Sequence, residues 1–411
     1  MATCHICTSQ CEPFISFGKM PIANGFLTPD QFNSEYFYEL TVGFCTRCAM
    51  VQLIDQPEAE RMFHGSYAFY SSTSEHMAEH FKRTALEALP RYFTSGDPFV
   101  VEIGSNDGIL LEYCAKQGIR HVGVEPAANV AAVAAAKGVN SIVEFFNKEL
   151  GERIRDEYGQ ADVIFSANTM LQFPNMNSVL AGIALLLKPR GVLVFEDPYL
   201  GDIVGKNSYD QMYDEHLFYF SVASVGYMAV QHDLEVIDVQ ALPVHGGSMR
   251  YVIGHRGAHI VSSNVADQKA YEEKIGLKEP ATYEGLRNRI EQSRDDLVAL
   301  LRQLKEEDKR VVGYGATSKS TTILNYCGID RGLVEFISDI TPIKQGKYSP
   351  GMHIPVLPYE EFVRNYPDCA LLFAWNHARE IMAKESDFRR AGGEWIVYVP
   401  KVGVLAHDFV H

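Results

Sequence analysis

The sequence predicts an α/β protein preceded by a small cysteine-rich domain. Three observations carry this. Residues 75–255 alternate short apolar runs with helical patterns. The alternation restarts at residue 310. Two Cys-x-x-Cys pairs, Cys4–Cys7 and Cys45–Cys48, stand ahead of both in a segment of turns and short strands. Such alternation is the signature of a mostly parallel sheet with helices on its faces. At 411 residues the chain exceeds one ordinary core, so several domains are expected. We read 1–65 as the cysteine domain, 66–260 as a first α/β domain, 261–309 as a helical connector and 310–411 as a second, Rossmann-like α/β domain.

The cysteines come first. A Cys-x-x-Cys turn brings two thiolates onto one side of a tight loop, and two such turns complete a tetrahedral zinc site. Cys4, Cys7, Cys45 and Cys48 are the expected ligands, with His5 and Cys11 as alternatives. Two unrelated turns are the plainer reading. Four protein ligands leave no open position, so this zinc is expected to be structural. Cys114, Cys327 and Cys369 lie in apolar helix-like or strand-like settings and read as core.

Bulk composition narrows the partners. The formal net charge is −15, and no stripe is dense in Lys and Arg. A nucleic-acid substrate is therefore disfavoured. An anionic small molecule is not, because local donors can hold one on an acidic protein. No apolar run approaches the roughly 20 residues of a spanning helix. No secretory signal is read at "MATCHICTSQC". A cytoplasmic protein without membrane contact is expected.

In the first α/β domain, "FVVEIG", "HVGVEP", "ADVIFSAN" and "GVLVFEDP" read as strands, with helices over 126–137 and 175–188 between them. "FVVEIGSNDGIL" is a strand, a glycine turn and a helix start. Glu102, Gly104 and Gly108 form E-x-G-x-x-x-G. Glycines let backbone approach a ligand, and the helix start offers free N–H groups. Glu125 ends the next strand, where a carboxylate suits a ribose diol. Dinucleotide loops place a second glycine where this chain has Asn106, and Asp107 would disfavour a pyrophosphate. S-adenosylmethionine (SAM), a cationic sulfonium, fits better. Asn168 and Leu171, at the end of the later strand, are expected in the same pocket.

A charged helical stretch fills the connector. The second domain then opens with "RVVGYGATSKSTTILN", again strand, turn and helix. Gly313 and Gly315 precede Thr317, Ser318 and Lys319. Hydroxyls, N–H groups and an ammonium at a helix start make an anion site. It is neither a Walker loop nor a complete dinucleotide fingerprint. The loop "SDITPIKQGKYSPGMHIPV", with Lys344 and Lys347, reads as a lid over a phosphate-bearing ligand. A purely structural half-domain is the plainer alternative.

These segments together resemble the deoxysugar C-methyltransferases that act on nucleotide-linked 4-keto sugars, typically the C-3′-methyltransferases. The resemblance spans essentially the whole chain. It is carried by Cys4, Cys7, Cys45 and Cys48, and by "YAFYSSTS", "VEIGSNDGILL", "FEDPYLGDIV", "YDEHLFYFS", "PVHGGSMR", "GYGATSKSTTILN" and "KQGKYSPGMHIPV". It implies a zinc domain, a class I SAM methyltransferase domain and a Rossmann-like domain holding the nucleotide diphosphate. It also implies a monomer acting on a dTDP-4-keto-deoxysugar in antibiotic or polysaccharide biosynthesis. The implied chemistry is physically coherent. A 4-ketone acidifies the proton on C3, a base removes it, and the enolate attacks the sulfonium methyl.

"QMYDEHLFYF" (211–220) then becomes the candidate catalytic segment. In a helical turn Tyr213 and His216 share a face. His216 is the expected base, since imidazole titrates near neutral pH. Tyr213 is expected to donate to the oxyanion, and Glu215 to orient the ring or meet a sugar amine. Asp214 reads as structural. If the segment were a strand, Tyr213 and Glu215 would share a face instead. A buried, hydrogen-bonded His216 is the plainer alternative. Tyr67 and Tyr70 resemble the family's substrate-facing tyrosines, Tyr67 assisting proton removal. The resemblance also points to Glu196, His245, Tyr314, Ala316, Thr317, Lys319, Lys344 and Lys347 for the sugar nucleotide. The family pattern has His where this chain has Gln172. A hydrogen-bonding role and not a proton relay is expected there, and the C3 substituent, amine or hydroxyl, stays open.

Two other classes compete. A zinc-containing NAD(P) oxidoreductase would use the second glycine loop, with Asp339 for the ribose. A non-catalytic zinc-ribbon binding protein would carry both α/β domains in degenerate form; the intact Glu102, Gly104 and Glu125 argue against it.

Overall fold

The computed structural model describes residues 2–62, 71–73, 75–93 and 96–405. Three sheets are present among the described residues. The N-terminal part holds strands β1 (Ala2–Thr3), β2 (Gln10–Pro21), β3 (Phe37–Phe44) and β4 (Val51–Leu53). The middle of the chain holds β5 (Phe99–Ile103), β6 (Arg120–Val124), β7 (Ser141–Ile142), β8 (Ala161–Ala167), β9 (Leu187–Pro198), β10 (Phe218–Tyr219), β11 (Leu234–Leu242) and β12 (Ser248–His255). The last part holds β13 (Val311–Tyr314), β14 (Ile337–Asp339), β15 (Val356–Pro358), β16 (Cys369–Leu372), β17 (Glu394–Val397) and β18 (Gly403–Leu405).

The central sheet runs in the order β11-β12-β9-β8-β5-β6-β7. From β9 to β7 neighbouring strands are parallel, and the β11–β12 hairpin lies antiparallel on β9. Every residue of β5 is buried. That explains its unbroken apolar reading, since helices cover both faces of a parallel sheet. The strand order reverses between β5 and β8, and ligands bind at such switch points, outside the carboxyl ends of the strands.

The last sheet repeats the scheme as β15-β14-β13-β16-β17-β18, parallel as far as β17. Its switch point lies between β13 and β16. The helix Pro280–Glu306 leads into it. Pro280 stands in the first turn, and Tyr283, Leu286, Ile290, Ser293, Leu297, Leu301 and Leu304 are buried at spacings of three and four. No helix among the described residues is long and apolar enough to cross a membrane.

The N-terminal sheet contains a strand that local reading did not anticipate. Its order is β1-β2-β3-β4-β10, and β10 comes from the candidate catalytic segment, pairing Phe218 with Gln52 and Tyr219 with Val51. Leu217, Phe218, Tyr219 and Phe220 are all buried. The aromatic run is therefore the seam between the cysteine domain and the first α/β domain.

Candidate active site

One cavity of about 490 Å³ lies between the two switch points. Its wall includes Gly104, Asn106, Glu125 and Asn168 from the first α/β domain, and Thr317, Ser318, Lys319 and His377 from the second. Tyr213, Glu215, His216, Gln172 and His245 line it between those ends.

At the first end, Gly104 has φ +75°, and a Cβ there would lie 2.3 Å from Thr169 Oγ1, so only glycine fits. Asn106 also adopts positive φ, +46°. That turn aims its amide at Glu125 Oε2, 3.0 Å away, while Glu125 Oε1 accepts from the Ala127 amide at 2.8 Å. Burial pushes the Glu125 carboxyl upward, and the two backbone donors pull it back. Asn168, at φ +52°, donates through Nδ2 to His245 Nε2 at 3.1 Å. His245 itself has φ +54°. Strained backbone of this kind persists where the surroundings over-determine it.

Several expected cofactor residues stand elsewhere. Glu102 is 3 % exposed and lies beneath the loop, not on the wall. Burial, then the Asp107 and Glu125 charges, push its carboxyl well above the usual range. Gly108 packs the loop onto Val139, 2.9 Å from where a Cβ would sit. Leu171 is a buried apolar side chain whose carbonyl accepts from the Leu217 amide at 2.9 Å, so it supports the catalytic segment instead. Asp107, expected to repel a pyrophosphate, is fully buried, takes both Ser72 donors and pairs with Lys137. The preference for a cation therefore rests on Glu125, the carboxylate that does reach the wall. A ribose hydroxyl donating to it at a glycine turn fits the residues present.

The segment 213–216 is neither helix nor strand. It is a tight turn in which the His216 amide donates to the Tyr213 carbonyl at 2.9 Å. The turn brings the two side chains together, with Tyr213 Oη 2.7 Å from His216 Nε2. His216 Nδ1 donates to the Gln211 carbonyl at 2.8 Å. A carbonyl only accepts, so this bond assigns the proton to Nδ1 and leaves Nε2 to accept from the tyrosine. Burial, with the Lys319 and His245 charges, pushes the imidazole down to about 3. Tyr213 is held well above its ordinary value by burial and by Glu215 and Asp214. The pair is thus a neutral phenol on a neutral imidazole. Asp214 is fully buried, its Oδ1 accepting from the Ala23 amide at 2.8 Å.

At the second end, Thr317 caps the helix Ser318–Cys327, accepting from the Ser320 amide. Lys319 Nζ reaches Asn376 Oδ1 at 3.2 Å and lies 4.9 Å from the Trp375 ring. Burial pulls its ammonium below the usual lysine range, while Asp210 pulls the other way. Free N–H groups, hydroxyls and this cation suit a phosphate. The remaining expected substrate residues serve the scaffold. Tyr314 Oη donates to Glu385 at 2.8 Å inside an aromatic cluster with Phe362 and Trp395. The Ala316 amide donates to Asp339 Oδ2 at 2.6 Å, and its carbonyl accepts from Lys344 Nζ at 2.7 Å. Lys344 therefore ties down the glycine turn, and Lys347 stands off the wall. Asp339 accepts from the Thr341 amide with its other oxygen at 2.7 Å and, unlike Glu125, is not part of the cavity wall, so it is not placed for a dinucleotide ribose. Glu196 lies within a buried cluster, 2.6 Å from both His80 and Arg250. Burial raises its carboxyl, but those two partners outweigh burial and hold it low. Tyr67 and Tyr70 fall outside the described residues.

The wall also contains Asn24, Phe173, Thr341 and His377, which sequence reasoning did not select. Phe173 adjoins Gln172 and Thr341 lies in the loop 338–356, whereas the contact of Asn24 to Glu215 spans 191 positions and no local spacing signals it.

The four cysteines are within reach of one ion. Their sulfurs all lie within 4.8 Å of one another, with Cys4–Cys48 and Cys7–Cys45 at 3.5 Å. Four thiolates at ~2.3 Å from a zinc stand about 3.8 Å apart along the edges of a tetrahedron, so the set fits zinc. His5 bonds the Ile54 carbonyl instead, and Cys11 is buried outside the four-ligand group. Cys114, Cys327 and Cys369 are buried core residues.

Known proteins match this organisation. Residues 4–63 match a zinc binding domain model, 74–239 a methyltransferase domain, and 243–400 the C-methyltransferase C-terminal domain. C-methyltransferase NovU of Streptomyces niveus is 35 % identical over 408 residues, covering 98 % of this chain and 97 % of that protein. Solved structures are far more distant. A SAM-dependent methyltransferase from Anabaena variabilis is 17 % identical over 43 % of this chain and 85 % of its own, with a TM-score of 0.34. Magnesium protoporphyrin IX methyltransferase from Synechocystis, with bound SAM, is 10 % identical over 44 % and 79 %, at 0.33. At these scores neither structure bears on function.

Proposed function

Since this chain belongs to the family of SAM-dependent C-methyltransferases with an N-terminal zinc-binding domain, we propose that it methylates C3′ of a nucleotide-linked 4-keto-deoxysugar through an enolate. The observation that carries this reading is the Tyr213–His216 pair, which lines one cavity between an acidic, glycine-turned end and a cationic, hydroxyl-rich end.

When bound, SAM supplies an electrophilic methyl group. Glu125 and the Gly104–Asn106 turn hold its ribose side. Thr317, Ser318 and Lys319 hold the diphosphate of the sugar nucleotide, which stretches the sugar across Tyr213. The proton leaving C3′ reaches His216 through the tyrosine. Tyr213 Oη accepts it and passes its own proton to Nε2. The electron pair left on carbon delocalises onto the ketone oxygen. An imidazolium at this site is costly, and the enolate charge beside it offsets part of that cost. Gln211 keeps the ring in the tautomer that can accept. His245, held by Asn168, closes the wall on the SAM side. The relationship to C-methyltransferase NovU supports methylation at carbon, and the cationic, hydroxyl-rich end of the cavity supports the nucleotide-sugar class.

The test is to incubate the protein with SAM and a panel of dTDP-4-keto-deoxysugars, followed by mass spectrometry and NMR. A methyl group on C3′ is expected. A 4-ketone acidifies both flanking carbons, so a methyl on C5′ would correct the position. Hydride transfer, or no turnover across the panel, would overturn the reading.

A further inference from the structure

Asn24 belongs to the N-terminal domain yet stands in the cavity wall with Tyr213, Glu215 and Lys319. Its neighbours hold it there from two sides. The Ala23 amide donates to Asp214 Oδ1 at 2.8 Å, and the Ala23 carbonyl accepts from Thr321 Oγ1 at 2.9 Å. Leu27 and Tyr348 exchange backbone hydrogen bonds at 3.3 and 2.9 Å. Glu35 accepts from the Gly351 amide and pairs with His353, both at 2.8 Å. Segment 22–35 is therefore strapped to the catalytic turn on one side and to the second α/β domain on the other. At its apex Asn24 Nδ2 donates to Glu215 Oε1 at 2.7 Å. Glu215 is 5 % exposed, and its side chain borders the cavity. A glutamate has several rotatable bonds, and a donor that holds one oxygen sets the direction of the carboxylate.

We propose that Asn24 is a positioning residue for the sugar. Acting through Glu215, it aims the carboxylate at a hydroxyl or ammonium group beside the reacting carbon. The zinc-bearing domain thereby contributes to substrate selection. This rests on the substrate class proposed above. The chemistry is a charge-assisted hydrogen bond that the Asn24 amide helps to orient, so its loss falls on sugar binding and leaves SAM binding alone.

The experiment compares wild type with Asn24→Ala, Asn24→Asp, Glu215→Gln and the Asn24→Ala/Glu215→Gln double variant. Steady-state kinetics use the dTDP-4-keto sugar that the wild type methylates, and calorimetry gives the SAM Kd. Asn24→Ala should raise the sugar KM about tenfold with the SAM Kd unchanged. Asn24→Asp, which sets a second carboxylate against Glu215, should raise it further. The double variant should be no worse than Glu215→Gln alone, as expected of coupled residues. A KM within about twofold of wild type in both Asn24 variants, an equal loss of SAM affinity, or additive effects would overturn the role of Asn24 while the substrate class stands. Wild-type protein that methylates no 4-keto sugar would overturn the substrate class, and this role with it.

Discussion

The two α/β domains open the same cavity with the same device and opposite chemistry. Each ends its first strand in a glycine turn at a switch point. At Gly104 the turn aims backbone at a carboxylate, Glu125, leaving an acidic wall. At Gly315 the turn leads into a capped helix with Thr317, Ser318 and Lys319 on the wall. The acid at the end of the next strand makes the difference plain. Each accepts two backbone amides, but Glu125 stands on the cavity wall and Asp339 does not. One carboxylate faces the cavity and the other does not, and that difference suits the two ends to the two ligands proposed above.

The sharpest test lies between the two ends. His216→Asn keeps a polar side chain and removes the proton acceptor. Deuterium wash-in at C3′ should fall about 10²- to 10⁴-fold. Wash-in at the wild-type rate would remove His216 from the proton path. Next come the ends themselves. Glu125→Ala should weaken SAM binding about 10- to 100-fold with the sugar-nucleotide KM unmoved, and Lys319→Met should do the reverse. Calorimetry on each ligand separates them, and a variant that damages both ligands equally would blur the division of labour.

A smaller effect appears in stability. The folded His216 titrates near 3, below the ordinary value of 6.5. Between those values the unfolded chain binds a proton that the folded chain refuses. The stabilisation is whole above 6.5 and drains as pH falls towards 3. From pH 6.5 to 5 the loss should be about 1.6 kcal/mol. Urea melts at both pH values should reveal it, and His216→Asn should reduce the pH dependence by that amount. Smallest is Tyr314→Phe. Because that hydroxyl serves Glu385, stability should drop by about 1 kcal/mol while the sugar KM stays put. A large rise in KM would return Tyr314 to the binding site.

Legibility followed distance along the chain. The parallel strands and both glycine turns are local patterns, and they stand where the periodicity placed them. The cysteine cluster was readable because two short spacings encode it. Tyr213 and His216 were readable as neighbours, though a tight turn and not a helix joins them. Glu196 and Tyr314 were expected in the sugar-nucleotide site from the family resemblance, and Lys344 also from its place in a loop read as a lid. Each has a buried partner instead: His80, Glu385 and the Ala316 carbonyl. Nothing in a linear reading supplies those partners. Asn24 was invisible for the same reason, since its contact to Glu215 spans 191 positions.

The pairing of β10 with β4 has a consequence for solubility. Without β10, the outer edge of the N-terminal sheet would present unpaired N–H and C=O groups to any passing strand. The segment that carries Tyr213 and His216 also seals that edge. Substitutions that loosen it should expose a sticky border as well as disarm the chemistry, and such variants should be found in the pellet before they are found inactive.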